Sequence, residues 1–179
     1  MSDIMLDIET LSTRPEAVIL TIGILKFDPY SDTINENKGL YLRINVDEQL
    51  ALDRHVDDNT VEWWGKQADD VRDEALGDEN RISLEEFTCQ LNRYLVGSTS
   101  IWAQGPVFDI VILEHLYKQL GKPVPWNYWQ IRDSRTLFGV HGDPRVKGRA
   151  GHHNALSDCV YQAEGIQRIY TKCEIEKGR

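Results

Sequence analysis

The chain has 179 residues, of which 41% are hydrophobic and 27% are charged, and its formal net charge is −9. This length and composition predict a single globular domain, residues 1–179, with a hydrophobic core. The negative charge argues against a protein that coats nucleic acid through a broad basic surface. It does not exclude a nuclease, since bound metal ions can reverse the charge around a site.

The cysteine pattern predicts reduced thiols in a cytoplasmic protein. The three cysteines are widely spaced and form no Cys-x-x-Cys pair, which argues against a disulfide framework or a zinc knuckle. Acidic residues interrupt the N-terminal apolar run, so no signal peptide is expected. No apolar run approaches the length of a membrane span.

Three strands are predicted in the first quarter of the chain, and the short links between them favour an antiparallel meander. The apolar and β-branched stretches that predict these strands are residues 3–9, 17–27 and 39–44. The chain then becomes acidic and helical. There Thr60 is the expected cap of a helix over residues 61–66.

Helices alternate with short strands in the rest of the chain. Ser83 and Glu86 form the pattern of a capping box, which predicts a helix as far as residue 95. The other predicted elements are helices over 69–76, 108–120, 134–138 and 154–172, and strands over 101–103 and 128–132. This order predicts an α/β fold whose mixed central sheet combines the antiparallel meander with parallel strands and is flanked by helices.

Two carboxylates in the first predicted strand are candidates for chemistry. Asp7 and Glu9 stand two residues apart beside apolar neighbours, so both side chains project from one face of the strand. Burying two like charges so close together is costly unless a cation neutralises them, and hard divalent cations prefer carboxylate oxygens. The pair therefore predicts a Mg²⁺ or Mn²⁺ site. The alternative is a strand face turned to solvent.

Two further acids stand at the predicted starts of helices. Asp109 follows a short strand and a Gly-Pro break, which is where sites tend to form in α/β folds, although it could simply complement the helix dipole. Asp158 lies one turn into the last helix, close to the loop that carries His153. A carboxylate ligand and an imidazole base suit metal-assisted hydrolysis. The alternative is a loop histidine beside a solvated carboxylate.

A basic loop precedes this histidine. Arg145, Lys147 and Arg149 stand out in so acidic a chain and could bind a phosphate backbone, although the alternative is an ordinary surface loop. Asp133 is interpreted as a structural carboxylate that pairs with Arg132 or Arg135.

Three sequence motifs together resemble one superfamily. Asp-Ile-Glu-Thr from Asp7, Gly-Pro-Val-Phe-Asp ending at Asp109, and His-Asn-Ala-Leu-Ser-Asp from His153 to Asp158 are similar, in order and form, to the exonuclease motifs of the DEDDh or DnaQ-like superfamily. The resemblance covers roughly residues 3–170. The stretches TVEWW, WAQGPVFD and IRDSRTL are most similar to the Rv2179c-like exoribonucleases of bacteria and phages, which resemble the phage DexA exonucleases.

This resemblance implies an RNase H-like fold and a metal-dependent 3′-5′ exonuclease. Such an enzyme would release nucleoside 5′-monophosphates from 3′ ends of single-stranded RNA or DNA, in the cytoplasm of a bacterium or of a phage-infected host. It implies two ions, Mg²⁺ or Mn²⁺, with the metal ligands Asp7, Glu9, Asp109 and Asp158. His153 would be the general base, since it and not His152 stands five residues before Asp158.

Substrate contacts are expected from Thr10, Leu11, Trp63, Trp64, Phe108, Lys147 and Arg149. Leu11 and Phe108 stand beside the acidic motifs and could wedge between bases, and the alternative is that both belong to the core. Adjacent tryptophans on a helix point about 100° apart, so one is expected in the core while the other could stack on a terminal base. The alternative is that both pack internally. The size and tryptophan content are compatible with a homodimer.

Two other functions remain open at this stage. The same fold could serve as a non-catalytic or proofreading-type nucleic-acid-binding module, which the intact acidic and histidine positions disfavour. An RNase H-like endonuclease also uses clustered carboxylates, and the His-x-Ala-x-x-Asp element disfavours it. The partner for a ribose 2′-hydroxyl, which distinguishes RNA from DNA, is not identified.

Overall fold

The computed structural model describes residues 2–145 and 153–177. The strands are β1 (Ser2–Thr10), β2 (Ile19–Phe27), β3 (Gly39–Ile44), β4 (Arg81–Ile82), β5 (Ser98–Ala103) and β6 (Ile131–Asp133). The helices are α1 (Val46–Leu50), α2 (Asp58–Gly65), α3 (Asp69–Leu76), α4 (Leu84–Leu95), α5 (Pro106–Gln119), α6 (Ser134–His141) and α7 (Ala155–Lys172). Short 3₁₀ turns precede β3 and β6.

The six strands form one mixed sheet in the order β4-β3-β2-β1-β5-β6. The neighbours β1, β2 and β3 pair antiparallel, while β5 runs parallel to β1 and β6 runs parallel to β5. The predicted α/β fold, with an antiparallel meander extended by parallel strands, is therefore confirmed. β1 lies in the centre of the sheet, which places its apolar run between two layers of helices.

The alternation of side chains along β1 divides the core into two layers. Ile4, Leu6 and Ile8 pack among residues of α4 and α5. Met5 points to the other face, where it packs against α6 and α7. A smaller apolar cluster lies under helices α2 and α3 and includes Trp64. Among the described residues, no helix combines the length and the apolar character needed to cross a bilayer.

The local expectations that failed concern caps and very short elements. Thr60 is not the cap of α2, because Asp57 takes that position and its Oδ2 accepts the Thr60 amide at 2.9 Å. The two-residue strand β4 and the five-residue helix α1 were not predicted, since elements this short carry too little periodicity.

The strand predicted over 128–132 begins later than expected. Residues Tyr128–Gln130 form a 3₁₀ turn, in which the Gln130 side chain accepts the backbone amide of Asn127 at 2.9 Å, and the strand occupies Ile131–Asp133. The local side-chain hydrogen bond competes successfully with strand pairing there.

Candidate active site

The acidic pair stands where the apolar face of β1 ends. Asp7 and Glu9 follow Met5 at alternate positions, so they continue the face that packs on α7. One carboxylate oxygen from each of Asp7, Glu9 and Asp158 lies within 4.8 Å of the other two. Residues 7 and 158 are thus brought together by the packing of the last helix on the central strand.

The start of α7 fixes the third acid of this cluster. The Asn154 side chain caps the helix by accepting the Ser157 amide at 3.0 Å. Asp158 lies in the first turn, and its Oδ2 accepts the backbone amide of His153 at 3.0 Å. The carboxylate therefore ties the residue that was predicted as the general base to the acidic cluster.

Gly23 allows α7 to approach the sheet this closely. It pairs with Asp7 across β1 and β2, and a Cβ atom at this position would lie 2.2 Å from the carbonyl carbon of Ala155. The Cys159 thiol also donates to the Gly23 carbonyl at 3.2 Å. The sequence analysis missed this residue, although a glycine inside a strand often marks a close approach of another backbone.

We expect Gly23→Ala to displace α7 and weaken the site. The overlap of the new methyl group with backbone atoms predicts a loss of about 1–3 kcal/mol in the free energy of unfolding, and Asp158 would move with the helix. Urea unfolding and Mn²⁺ titration measure the two effects. Gly139→Ala is the matched control, since nothing lies within 4 Å of its Cβ position. Wild-type stability and Mn²⁺ affinity in Gly23→Ala would contradict the prediction.

Asp109 stands near the cluster at the start of α5, although its carboxylate is not one of the three whose oxygens lie within 4.8 Å of one another. Gly105, whose φ of 104° suits glycine, is the N-cap of α5, and the helix begins at Pro106. Asp133 secures this junction by accepting the Gly105 amide at 3.2 Å. Its carboxylate also accepts the backbone amide of Arg135 at 3.0 Å, and the described residues show no ion pair with the side chain of Arg132 or Arg135, so the predicted pairing was wrong. Asp109 is only 4% exposed, and its Oδ1 accepts the amide of Ile8 at 3.2 Å, between the two acids of β1.

Burial and mutual repulsion raise the pKa values of these carboxyl groups. The pKa of Asp7 is raised by burial and then by the charges of its acidic neighbours. Burial, followed by the charges of Asp158 and Asp109, raises the pKa of Glu9 to about 8. Burial also raises the pKa of Asp109 to about 7. Without a cation, the cluster therefore retains protons near neutral pH.

A buried glutamine completes the surroundings of Asp7. Gln162 is 5% exposed and its Nε2 donates to Asp7 Oδ1 at 3.0 Å. Its Oε1 is buried and has no hydrogen-bond partner among the described residues. The sequence analysis missed Gln162, although it stands four residues after Asp158, where helical neighbours share a face.

These residues fit a hard divalent cation. The donor set consists of carboxylate oxygens, the ligands that Mg²⁺ and Mn²⁺ prefer. The orphaned Gln162 oxygen supplies a further acceptor beside them, suited to a water molecule in a coordination shell. A cation would also relieve the repulsion that raises the carboxyl pKa values.

We expect the affinity for Mn²⁺ to rise steeply between pH 6 and pH 8. The folded pKa values of Glu9 and Asp109, about 8 and about 7, lie above their ordinary values of 4.5 and 3.8, so the cation must displace protons. In the metal-free protein, the raised pKa values of Glu9 and Asp109 mean that their ionisation is less favourable in the folded state than in the unfolded state. The free energy of unfolding therefore falls progressively as the pH rises from about 4 to 8.

Calorimetric titration in buffers of different ionisation enthalpy measures both the affinity and the protons released. We expect binding at pH 6 to be at least about tenfold weaker than at pH 8. A pH-independent affinity with no proton release would contradict the raised pKa values.

A cleft of about 330 Å³ opens beside Glu9. Predicted substrate contacts among its lining residues are Thr10, Trp63, Trp64 and Phe108. Trp64 is 1% exposed and its Nε1 donates to the Thr10 carbonyl at 2.9 Å, whereas Trp63 is 40% exposed. The Trp64 ring thus belongs to the core, and of the two rings only that of Trp63 presents a surface on which a base could stack.

The remaining predicted substrate contacts are placed differently. Leu11 is buried and packs with Val18, Leu20 and Trp64, which leaves it little surface for a base. Lys147 and Arg149 lie outside the described residues, as does His152.

The basic loop enters the described structure only at Arg145. Its guanidinium pairs with Asp143 at 2.6 Å and donates to Gln104 Oε1 at 2.8 Å. Arg135 donates to the backbone carbonyl of Gln104 at 2.9 Å. Two arginines therefore flank the β5–α5 junction that carries Asp109.

His153 lies against the aromatic pair of α2. Its ring centroid is 4.8 Å from that of Trp63 and 6.3 Å from that of Trp64, with near-perpendicular planes in both cases. Its backbone adopts a φ of +67°, which is uncommon outside glycine although histidine is among the enriched exceptions. The histidine and the cleft tryptophan, 90 residues apart in sequence, thus meet beside the carboxylates.

Comparisons with known proteins agree with this geometry. The model of a family described as the 3′-5′ exoribonuclease Rv2179c-like domain matches residues 2–170. An exodeoxyribonuclease of Enterobacteria phage T4 is 22% identical over 160 residues, which cover 76% of this chain and 70% of the relative.

Solved nuclease structures share the fold at low sequence identity. The nuclease domain of 3′hExo, a DEDDh family member bound to rAMP, has 14% identity and a TM-score of 0.60, with 99% of this chain and 96% of that one covered. S. pombe Pop2p, in a form with Mg²⁺ and Mn²⁺ bound, has 14% identity and a TM-score of 0.63, with coverages of 94% and 82%. Cell-death related nuclease 4 has 16% identity and a TM-score of 0.58; the match covers 96% of this chain but 64% of that one. Together they establish the RNase H-like fold of DEDDh exonucleases.

Proposed function

Because the chain belongs to the Rv2179c-like 3′-5′ exoribonuclease domain family and is a 3′-5′ exonuclease, we propose that it hydrolyses single-stranded nucleic acid with divalent cations and a histidine base. Nucleoside 5′-monophosphates are released one at a time from the 3′ end. The observation that carries the proposal is the convergence of one oxygen from each of Asp7, Glu9 and Asp158 within 4.8 Å, at the end of the central strand.

The ligand set that we propose is Asp7, Glu9, Asp109 and Asp158, with two ions of Mg²⁺ or Mn²⁺. When bound, such ions neutralise charge on the attacking and leaving oxygens of an in-line displacement. The protein holds the carboxylates in place beforehand. Asp7 is oriented by the Gln162 amide at 3.0 Å, and Asp109 by the Ile8 amide at 3.2 Å.

His153 is the proposed general base. Its backbone amide donates to a carboxylate oxygen of Asp158 at 3.0 Å, which holds the main chain of His153 beside the acidic cluster. The imidazole takes a proton from the attacking water, whose oxygen forms the new bond to phosphorus. The bond from phosphorus to the 3′ oxygen of the preceding nucleotide breaks, and this oxygen takes a proton from solvent, which leaves a new 3′ hydroxyl and a 5′-monophosphate.

The cleft beside Glu9 is the proposed site of the 3′-terminal nucleotide. Its volume of about 330 Å³ suits a single nucleoside, which agrees with the release of one nucleotide per cut. Trp63, 40% exposed in this cleft, offers an aromatic surface for the terminal base, and stacking of this kind tolerates any base. Single strands are favoured, because a paired terminal base is not free to enter such a cleft.

RNA is the first candidate polymer, since the matching family is described as exoribonuclease. DNA is the second candidate, because the phage relative is an exodeoxyribonuclease. The two polymers differ at the 2′-hydroxyl, so a comparison on equal sequences separates them.

A gel time course tests the proposal. Single-stranded RNA and DNA of equal sequence, labelled at the 5′ end and carrying either a 3′ hydroxyl or a 3′ phosphate, are incubated with the protein and Mn²⁺. A ladder that shortens from the 3′ end is expected, with faster loss of the preferred polymer. No degradation of either polymer would favour the binding module, and cleavage of a circular single strand would favour the endonuclease.

A further inference from the structure

The aromatic contact between α2 and His153 has a role that base stacking does not explain. Trp63 meets the imidazole at 4.8 Å between ring centroids with an interplanar angle of 89°, an edge-to-face arrangement that aromatic rings favour. Stacking on a terminal base requires only a ring that faces the substrate, with no contact to another residue. Here the same ring also contacts the residue proposed as the base.

The tryptophan is itself held in place. Its ring lies 5.0 Å from that of Trp64 at 77°, and Trp64 is buried with its Nε1 on the carbonyl of Thr10. Thr10 directly follows Glu9 on β1. A continuous series of contacts therefore leads from the strand that carries two of the acids, through two indoles, to the imidazole.

The backbone contact of His153 does not by itself set the direction of its ring. The amide bond to Asp158 fixes the position of the main chain, at a φ of +67°, but leaves the side-chain torsions to other contacts. A general base must lie within hydrogen-bond reach of the water it activates, so the orientation of the ring affects the rate directly.

We propose that Trp63 is a positioning residue that orients the His153 imidazole over the carboxylate cluster, in addition to any contact with the terminal base. This inference rests on the proposed function, because it takes His153 as the base. It assigns to Trp63 an effect on turnover in the absence of a terminal base, which a stacking platform alone would not have.

The test compares Trp63→Leu, Trp63→Phe and wild-type protein on two oligonucleotides, one intact and one with an abasic 3′-terminal nucleotide. We expect kcat of Trp63→Leu to fall at least about tenfold on both substrates, and Trp63→Phe to keep most of the rate because it retains an aromatic ring. Trp129→Leu, at an exposed tryptophan on the turn before β6, is the control that keeps wild-type turnover. Equal rates of Trp63→Leu and wild type on the abasic substrate would overturn the proposal.

A second readout does not depend on activity. In metal-free protein, the imidazole NMR signals of His153, assigned with His153→Asn, carry the ring-current shift of the neighbouring indole. We expect these signals to move in Trp63→Leu and the His115 signals to stay in place. Unchanged His153 signals would overturn the proposed contact. If the wild type lacked exonuclease activity while the His153 signals moved, the proposed function would fail and the contact would stand.

Discussion

We expect Asp7→Asn to abolish the stabilisation that Mn²⁺ gives against heat and to lower the exonuclease rate by roughly 10³-fold. The estimate follows because a bound ion contributes several kcal/mol of transition-state stabilisation, and each ~1.36 kcal/mol corresponds to a factor of ten. The amide keeps the size of the side chain, and its oxygen can still accept from Gln162 Nε2. The substitution therefore removes a charged ligand atom with little change in packing.

The same substitution is expected to raise the melting temperature of the metal-free protein. Burial and three neighbouring carboxylates raise the pKa of Asp7, so its ionised form destabilises the folded state at neutral pH, and a neutral amide removes that cost. Thermal melts with and without Mn²⁺ measure both effects. Asp47→Asn, an exposed carboxylate in the first turn of α1, is the control. A normal Mn²⁺-induced shift in Asp7→Asn would rule this residue out as a ligand.

We expect His153→Asn to lower kcat by about 10²- to 10⁴-fold, the range usual for the loss of a general base. Asparagine is chosen because it tolerates the left-handed backbone conformation that His153 adopts. The backbone N–H at this position can still donate to Asp158. The Mn²⁺-induced thermal shift should remain, since the substitution leaves the carboxylates in place.

Single-turnover rates, measured beside the thermal shift, separate a lost base from a lost metal site. His141→Ala, at the exposed end of α6, is the matched histidine control. If purified His153→Asn retained the wild-type rate, His153 could not be the base. If it lost the metal-induced shift as well, its main role would be to support Asp158.

The antiparallel meander and the placement of the acids could be predicted because they depend on local patterns and short connections. Alternation along β1 predicts that Asp7 and Glu9 share a face, and the start of α7 predicts that Asp158 is close to His153. The structure brings all of these residues together. The catalytic roles assigned to them stay predictions until the variants are measured.

The contacts that refine the site could not be predicted from local patterns. Gly23 allows α7 to lie close to β2. Trp63 of α2 contacts His153, which is 90 residues further along the chain. Gln162 acts on a residue of another element, 155 positions away. Each depends on how elements pack in three dimensions, which the spacing of residues within one element does not encode.

The repulsion among the buried carboxylates makes the stability of the protein in the cell depend on divalent cations. The acids that meet at the cluster come from the central strand and the last helix, so a cation that binds them holds the two ends of the domain together. Binding at a hundred times the dissociation constant would add about 2.7 kcal/mol to the stability of the fold. Under metal starvation, the enzyme would therefore lose part of its stability as well as its catalysis, and its abundance would decrease with the supply of divalent cations.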